Sequence, residues 1–456
     1  MSYDVASRGA SDLAKAGPQS IAAHAAEGRS GATGAQPARR AGRLAALGLY
    51  VFAASVPLDM LPVIGETFGL TRVTGLLLAV TALTQPKVTL RRPPAPFWWF
   101  GAYVIAVFIS GVPHLDAYPS EIALRVLTLT QVLVMFWIVY NLLRDDVRSA
   151  RALLVFAMAC GVVALLMSLG VYQTSIATAR GVRLSFAGGN ANQVGTTLML
   201  GLLTLVGLGY TARLAGRWWK WVVPIFAVPV AYAVMDTGSR GAVAGLGGGL
   251  LVLAFSGEHV ARRLRNLLVF TVVGAAVYFA VYTTYISRVR WEEALEHRKI
   301  SGRERIYPAL LGMAAERPIQ GWGAEKNRRE LAARVPQMEE ISLDAHNLYL
   351  HVLTEVGILG SLPILVALAL SLQAARRAVR TRHGLLPLVL LCSVLVASLA
   401  STWILGKPFW FFMAYAVAAG ADVGRVTRRR RLSPAYPLPS EWVQSASGGH
   451  TASDAP

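Results

Sequence analysis

Cysteine is almost absent from this sequence, which has two in 456 residues. Both of them, Cys160 and Cys392, lie in apolar runs, which excludes a disulfide framework and a cysteine metal site. Charged residues are also few, at 15%, whereas 54% of the residues are hydrophobic. Because apolar runs long enough to cross a bilayer recur along the chain, a soluble enzyme with a single anchor is excluded. The composition indicates a polytopic membrane protein.

The apolar runs predict an all-α membrane protein with about twelve transmembrane helices. One long loop, 286–345, joins the ninth and tenth of them, and its stretch ALLGMAAERP predicts helix within the loop. The transmembrane domain is expected to cover 43–426, between disordered tails, 1–42 and 427–456, that are rich in Ala, Gly, Ser and Arg. The first tail lacks the apolar core of a cleavable signal peptide. The predicted spans are 44–64, 68–85, 96–113, 122–143, 151–172, 191–211, 218–235, 240–256, 265–285, 346–372, 384–403 and 408–424.

Basic residues alternate between the predicted loops and so indicate the orientation. Every second loop carries at least three Lys or Arg, whereas the short loops between them carry almost none. By the positive-inside rule both termini are cytoplasmic and the long loop is on the outer side. This pattern also accounts for most of the formal net charge of +19, and it leaves no soluble basic domain for nucleic acid.

Three arginines on the outer side are exceptions to this rule. Arg180 and Arg183 lie in the loop before the sixth span, and Arg240 lies at the outer start of the eighth. Together with His346, Arg183 and Arg240 come from three separate outer loops, and we expect them to converge on one site. Arginine presents a planar fork of donors that suits phosphate oxygens. Several arginines at a membrane surface therefore indicate a lipid-linked pyrophosphate.

Carboxylates are sparse in the short outer loops, and no pair of them has the Asp-x-Asp spacing of a metal site. We therefore expect arginines, rather than a divalent cation, to neutralise a leaving pyrophosphate, and we predict no metal and no cofactor. The carboxylates concerned are Asp59, Glu66, Asp116, Glu121 and Asp236.

The segment DAHNLYLHVLTEVGILG places His346 at the start of the tenth span. Because each residue of an α-helix turns 100°, Gly357 and Gly360 are expected about 20° and 40° from His346, on one face. A neighbouring helix can approach closely at these glycines and hold the histidine in place. A helix N-terminus favours neutral imidazole, which can take a proton. The segment therefore predicts a general base at the membrane surface.

The same residues also have purely structural interpretations. His346 alone could cap a helix or anchor the interface, and Arg183 and Arg240 could hold lipid headgroups. His351 and Glu355 are four residues apart, roughly opposite His346, and are expected to form a buried pair.

Five motifs follow one another over about residues 175–365, in the order RLSFAGGNAN, GSRGA, SGRERIY, RPIQGWG and HNLYLHVLTEVGILG. In this order and topology they resemble the O-antigen ligase and polymerase superfamily. The strongest element is His346-Asn347, nine residues, Gly357, two residues, then Gly360, which is similar to a His-Asn signature of O-antigen ligases. The NAN stretch that ends at Asn192 departs from the family, where Asn-Pro-Asn is common.

The resemblance implies a GT-C-type, metal-independent glycosyltransferase of the bacterial inner membrane with its active site on the periplasmic face. The donor would be O-antigen polysaccharide on undecaprenyl pyrophosphate. The acceptor would be a sugar hydroxyl of the lipid A–core oligosaccharide. Both substrates are lipids and would reach the site among the membrane lipids. His346 would remove the acceptor proton, while Arg183 and Arg240, assisted by Arg303 and Arg180, would hold the pyrophosphate. Attack opposite the leaving group would invert the anomeric carbon. The supporting residues would be Asn347, Gly357, Gly360 and Asn192.

Three alternatives remain open beside the ligase. An O-antigen polymerase is associated with Arg-x10-Gly motifs in two outer loops, but no glycine lies eleven positions after Arg183, Arg240, Arg303 or Arg305. A protein O-oligosaccharyltransferase uses the same type of donor, and the sequence separates it poorly. A transporter of the lipid-linked sugar is expected to show inverted repeats and charged residues near the bilayer midplane. The sequence shows no convincing internal repeat, and its ionisable residues concentrate at the outer surface rather than along a path through the membrane.

Overall fold

The computed structural model describes residues 35–59, 61–64, 68–178, 181–210, 219–256, 260–296, 301–336 and 341–421. Within these residues the chain is mostly helical. The first six helices are α1 (Ala35–Ser55), α2 (Leu70–Leu83), the single turn α3 (Pro86–Thr89), α4 (Ala95–Gly111), α5 (Pro119–Leu143) and α6 (Asp146–Ser168). The next five are α7 (Ala191–Tyr210), α8 (Trp219–Asp236), α9 (Arg240–Ala254), α10 (Val260–Thr283) and α11 (Tyr285–Glu296). The last five are α12 (Arg303–Glu316), α13 (Lys326–Arg334), α14 (Leu348–Ala378), α15 (Leu386–Ala397) and α16 (Lys407–Ala421).

The helices confirm a mainly helical, polytopic membrane protein. Six segments of the described chain are long and apolar enough to cross a membrane, namely Ala95–His114, Pro119–Leu143, Asp146–Ser168, Ala191–Gly209, Arg263–Thr283 and Leu348–Ala378. Each of the other six predicted spans coincides with a further helix, one each for α1, α2, α8, α9, α15 and α16. The count of twelve spans and the GT-C architecture stay predictions.

The predicted tails lie mostly outside the described residues, which begin at 35 and end at 421. Helix α1 already begins at Ala35, within the predicted N-terminal tail. Alanine and arginine are strong helix formers, so the helix extends backwards from the apolar run through AQPARRAGR.

The outer loop before α7 folds into an antiparallel hairpin of β3 (Gln173–Thr178) and β4 (Gly181–Phe186). In its register Ile176 faces Arg183 and Thr174 faces Ser185. Phe186, at the end of β4, is fully buried in the core of the bundle, which fixes the hairpin on the helices. A second, smaller hairpin pairs β1 (Pro62–Ile64) with β2 (Phe68–Gly69). The sequence predicted neither hairpin.

The long loop contains helix, as predicted, and part of it has a core of its own. Residues 303–336, which we call the outer arm, comprise α12 and α13. Their apolar side chains form a cluster separate from the core of the bundle, around Met313, Trp322 and Leu331. The indole Nε1 of Trp322 donates to the carbonyl of Met313 at 2.9 Å. The guanidinium of Arg317 stacks 4.2 Å from the Trp322 ring. The arm therefore folds as a compact unit.

The arm is joined to α14 at a break in that helix. Gly357 has φ 66° and ψ −172°, a conformation that does not occur in helices and that favours glycine. A helical amide bonds the carbonyl four residues earlier, so the break requires other acceptors for the amides that follow it. Ile358 N donates to Pro318 O at 2.7 Å, and Leu359 N to Ile319 O at 3.4 Å.

The arm returns two hydrogen bonds to the same break. Trp322 N donates to Thr354 O at 2.8 Å, and Gly323 N donates to Glu355 O at 2.9 Å. These carbonyls belong to the turn just before Gly357. The segment 318–323 is thus inserted into the backbone hydrogen bonding of α14, and it positions the arm above the bundle.

Candidate functional site

Four arginines from four segments meet at the end of the bundle where α7 and α9 begin. Arg183 lies on β4, Arg240 is the first residue of α9, Arg290 lies on α11 and Arg303 is the first residue of α12. A Cβ atom placed on Gly238 would lie 3.1 Å from Arg290 Cδ and 3.9 Å from Arg183 Nε. We call these four residues the arginine cluster. It brings together three of the predicted arginines, whereas Arg180 lies outside the described residues.

Arg183 is held by two contacts from neighbouring elements. Its Nε donates to the carbonyl of Thr237 at 3.0 Å, in the turn between α8 and α9. Its Nη2 donates to Oδ1 of Asn192 at 2.9 Å, in the first turn of α7. Asn192 is in turn fixed, because its amide donates to Oδ1 of Asn190 at 2.9 Å. Asn192 was predicted as a supporting residue, and its contact explains how it orients an arginine.

Arg240 and Arg290 share one hydroxyl. Ser301 Oγ accepts from Nη2 of Arg240 at 2.7 Å and from Nη2 of Arg290 at 2.7 Å. Arg240 Nη1 also donates to the carbonyl of Arg290 at 3.1 Å. Ser239 caps α9 by accepting from the amide of Ala242 at 3.3 Å, which fixes the helix end that carries Arg240. These contacts orient both guanidinium groups.

Arg303 is buried with part of its hydrogen-bonding capacity unused. Its Nη2 donates to the carbonyl of Ala400 at 2.7 Å, and the residue is only 9% exposed. Its Nε is buried and has no partner within the described residues. An unsatisfied donor on a buried charge is costly, and an anionic oxygen would satisfy it.

Burial and mutual repulsion lower the pKa of two guanidinium groups in the arginine cluster. Burial, and then the charges of Arg240 and Arg303, lower the pKa of Arg183 to about 10. Burial, and then the charges of Arg183, Arg240 and Arg303, lower the pKa of Arg290 to about 9. Both groups remain protonated at neutral pH. Crowded, partly desolvated cations of this kind favour an anionic ligand, which would relieve their repulsion.

His346 lies just before α14 rather than within it. The helix begins at Leu348, and His346 has a positive φ of 48°. The expectation that His346 shares one helical face with Gly357 and Gly360 is therefore wrong. Helical periodicity applies neither to a residue outside the helix nor across the break at Gly357.

A carboxylate accompanies this histidine. Nδ1 of His346 lies 3.3 Å from Oδ2 of Asp344, and the two side chains are 30% and 37% exposed. A carboxylate that accepts the Nδ1 hydrogen leaves the lone pair on Nε2. In that tautomer, Nε2 of His346 is the basic nitrogen of the ring. Asp344 was not predicted to belong to the site, although the stretch DAHN places it two residues before the histidine.

The turn after α15 connects the histidine with the arginine cluster. Tyr307, one helical turn beyond Arg303, donates from its hydroxyl to Leu399 O at 2.9 Å and to His346 O at 3.5 Å. The next carbonyl, that of Ala400, accepts from Arg303. Tyr307 and Arg303 therefore link His346 and one arginine of the cluster to the same short segment of backbone.

The other supporting residues have structural contacts. Asn347 is the N-cap of α14, since its Oδ1 accepts from Tyr349 N at 3.0 Å and from Leu350 N at 3.1 Å. A Cβ on Gly360 would lie 3.3 Å from Cβ of Ala106, so α4 does approach α14 closely there. At Gly357 the close neighbour is instead the outer arm.

A second ionic network lies deeper in the bundle and includes the predicted His351–Glu355 pair, at 3.6 Å. Arg125 of α5 is 3.0 Å from Oε1 of Glu355 and donates to Nε2 of His351 at 2.6 Å. The hydroxyl of Tyr103 on α4 donates to Oε2 of Glu355 at 3.0 Å. This network joins α4, α5 and α14. Its position beside the arm's attachment points to a role in holding the helices together.

Sequence analysis also missed Arg290. The long loop carries many cations and escapes the positive-inside rule, so nothing in its charge alone distinguishes Arg290 from its neighbours. Its position a few residues after the ninth span, close to the membrane, is the one signal that favoured it.

Residues 225–365 match the family model described as O-antigen ligase. The matched region includes three of the clustered arginines, the outer arm and His346, whereas Arg183 precedes it. No curated protein matches the chain. Members of the matched family are glycosyltransferase-like ligases and polymerases that act on lipid-linked polysaccharides. Over residues 225–365, the chain is therefore similar to the O-antigen ligase family.

Proposed function

We propose that this protein transfers O-antigen polysaccharide from undecaprenyl pyrophosphate to a sugar hydroxyl of lipid A–core oligosaccharide. The transfer takes place at the periplasmic face of the bacterial inner membrane and completes lipopolysaccharide. The observation that carries the proposal is the arginine cluster, connected through Arg303, Tyr307 and the turn after α15 to the Asp344–His346 pair. Four cations suit a pyrophosphate, and a carboxylate-paired imidazole suits the deprotonation of a hydroxyl.

The reaction is a single displacement. Nε2 of His346 takes the proton of the acceptor hydroxyl while that oxygen attacks the anomeric carbon of the donor. The new C–O bond forms on the face opposite the C–O bond that breaks, so the configuration inverts. The electron pair of the broken bond leaves with undecaprenyl pyrophosphate. Asp344 stabilises the imidazolium that has formed.

Positive charge on the leaving group's side lowers the barrier. In this proposal Arg183, Arg240 and Arg303 hold the pyrophosphate, Arg290 adds a fourth guanidinium, and Arg180 assists. The donors are fixed in advance by Asn192, Ser301 and backbone carbonyls, so little reorganisation is needed as charge develops. The unpartnered Nε of Arg303 supplies a hydrogen bond that the ligand can complete.

Complementation of a bacterium that lacks its own O-antigen ligase tests this proposal. The chain, His346→Ala and a control, His450→Ala in the predicted C-terminal tail, are expressed at equal levels, and the lipopolysaccharide is separated on a gel. We expect a ladder of long chains with the wild type and the control, and none with His346→Ala. A ladder that persists with His346→Ala contradicts the assigned base. Core-only lipopolysaccharide together with new glycan on periplasmic protein would instead establish protein O-oligosaccharyltransfer.

A further inference from the structure

A large cavity lies between α1, α2, α5 and α16, away from the arginine cluster. Its volume is about 550 Å³, within the usual range of ligand pockets. None of the elements that line it carries a clustered arginine or His346. Leu76, Leu124 and Leu127 line it and are each more than half exposed, at 62%, 57% and 53%. Since these residues belong to apolar helices, the cavity opens towards the hydrocarbon of the bilayer.

Cationic side chains line this mainly apolar cavity where α2 and α16 begin. Arg72 lies in the first turn of α2, and Lys407 is the first residue of α16. Lys407 Nζ is 2.8 Å from Oδ2 of Asp59, whose other oxygen accepts from the hydroxyl of Thr71. In the predicted orientation both helix starts are directed towards the outer leaflet. Farther along the cavity, Ala79 and Met135 form apolar walls.

We propose that this cavity binds one anionic diacyl phospholipid from the outer leaflet. Its phosphodiester contacts Arg72 and Lys407, and its acyl chains lie along α2 and α5. The charge favours this occupant over the donor lipid. The guanidinium of Arg72 and the ammonium of Lys407 are enough to contact one phosphodiester, whereas a pyrophosphate suits the four arginines elsewhere.

The wall also offers a polar group that a polyprenyl chain cannot use. Gln131 lines the cavity on α5, where the neighbouring hydroxyls of Thr128 and Thr130 already donate to the carbonyls of their own helix. Its amide can donate to the ester carbonyl of a diacyl lipid, and a polyprenyl chain has no such acceptor. The combination of an anionic headgroup contact, an amide and an apolar slot open to the bilayer therefore matches a phospholipid.

Native mass spectrometry of the detergent-solubilised full chain tests the proposal, with phosphatidylglycerol and phosphatidylethanolamine as probes. Arg72→Gln removes the headgroup contact, and Ala79→Trp fills the cavity. The matched controls are Lys326→Gln, which removes a surface cation of the outer arm, and Val80→Trp, which enlarges the adjacent, exposed residue outside the cavity. Size-exclusion profiles establish that each variant is folded, and the two cavity variants act through different contacts.

We expect one phosphatidylglycerol to be retained in preference to phosphatidylethanolamine. Arg72→Gln weakens this retention about tenfold, as the loss of a charge-assisted hydrogen bond does. Ala79→Trp abolishes it, and the controls leave it unchanged. Equal retention of both lipids, or equal retention in all variants, overturns the proposal. So does a result in which Ala79→Trp removes undecaprenyl pyrophosphate or lipid A instead of phosphatidylglycerol. The test measures binding alone, so its outcome is independent of whether the chain is a ligase.

Discussion

At the scale of single residues, the proposed mechanism assigns the movement of a proton to the Asp344–His346 pair. Replacing His346 by Ala removes the proton acceptor, and we expect transfer to fall by about 10²- to 10⁴-fold. Asp344→Asn keeps the shape but removes the charge that stabilises the imidazolium, so we expect a smaller loss in the rate of transfer with an unchanged affinity for the donor lipid. Initial rates with purified substrates measure both effects. Equal activity of Asp344→Asn and wild type would show that the 3.3 Å contact has no part in the reaction.

The arginine cluster predicts a particular dependence of pyrophosphate binding on pH. The pKa of Arg290 is lowered to about 9 and that of Arg183 to about 10. A bound anion favours the charged guanidinium, so binding raises both pKa values and takes up protons at alkaline pH. We expect the affinity for undecaprenyl pyrophosphate to be constant around neutral pH and to fall as the pH rises through these two values.

Arg290→Gln is the control for this pH dependence. Without Arg290 the affinity is lower throughout, and its first decline, near pH 9, disappears. Titration calorimetry at a series of pH values measures the affinity of both proteins for undecaprenyl pyrophosphate. Circular dichroism at the same pH values confirms that the helices persist. An affinity that stays constant up to about pH 11 would contradict the assignment of these arginines to the pyrophosphate.

The sequence could reveal Arg183 and Arg240, because short outer loops normally exclude cations and the two residues violate that rule. It could not reveal their partners. The contacts to Asn192, Thr237 and Ser301 depend on how a hairpin, a helix start and the loop after α11 come together. The positive φ of His346 was equally hidden, since the apolar run begins next to it and made it look like part of the helix.

At the scale of elements, the break in α14 holds the outer arm in place. Gly357→Ala would place a Cβ against the backbone of Ile319 in a conformation that favours glycine. The strain alone costs about 1–3 kcal/mol, and the clash adds to it. We expect a lower apparent melting temperature and loss of activity, because the arm carries Arg303 into the site.

Gly312→Ala is the matched control for the break. Gly312 lies within helix α12 of the same arm, and nothing lies within 4 Å of a Cβ placed there. Alanine is favoured over glycine in a helix by about 0.5–1 kcal/mol, so this variant should be as stable as the wild type or more so. Thermal unfolding in detergent compares the two. A Gly357→Ala protein that melts no lower than Gly312→Ala would show that the inserted segment is not fixed at the break.

The apolar runs predicted the helices well, because a bilayer demands about twenty consecutive apolar residues whatever the neighbouring helices do. The break at Gly357 was not predictable in the same way. The sequence around it continues as an apolar helix, and only the carbonyls of Pro318 and Ile319 make the interruption favourable. The β3–β4 hairpin was missed for a similar reason, since its pairing joins residues in a loop that shows no strong alternation.

At the scale of the whole molecule, the network around Glu355 joins α4, α5 and α14 beneath the arm. Glu355→Gln would leave the guanidinium of Arg125 buried without its counter-charge, which costs about 3–5 kcal/mol. Glu316→Gln, which weakens a solvent-exposed pair with Arg334, should destabilise the protein far less, because water screens an exposed ion pair. Apparent melting temperatures of the two variants measure the contrast. Equal effects of the two substitutions would show that the buried network does not hold the helices together.

The molecule as a whole combines a membrane-embedded bundle with an arm that covers one end of it. The bundle supplies Arg183 and Arg240, the segments after α10 supply Arg290 and Arg303, and the start of α14 supplies His346. Assembly of the site therefore requires both parts to be docked, which the exchange of hydrogen bonds at Gly357 achieves.

The most direct test of the central claim is a transfer reaction with the purified chain, O-antigen on undecaprenyl pyrophosphate and lipid A–core, analysed by mass spectrometry. We expect the wild-type protein to form a covalent polysaccharide–core product and to release undecaprenyl pyrophosphate in equal amounts, without any added energy source. We expect neither product with His346→Ala. Donor that stays intact with wild-type protein, or product that forms equally well with His346→Ala, would contradict the central claim.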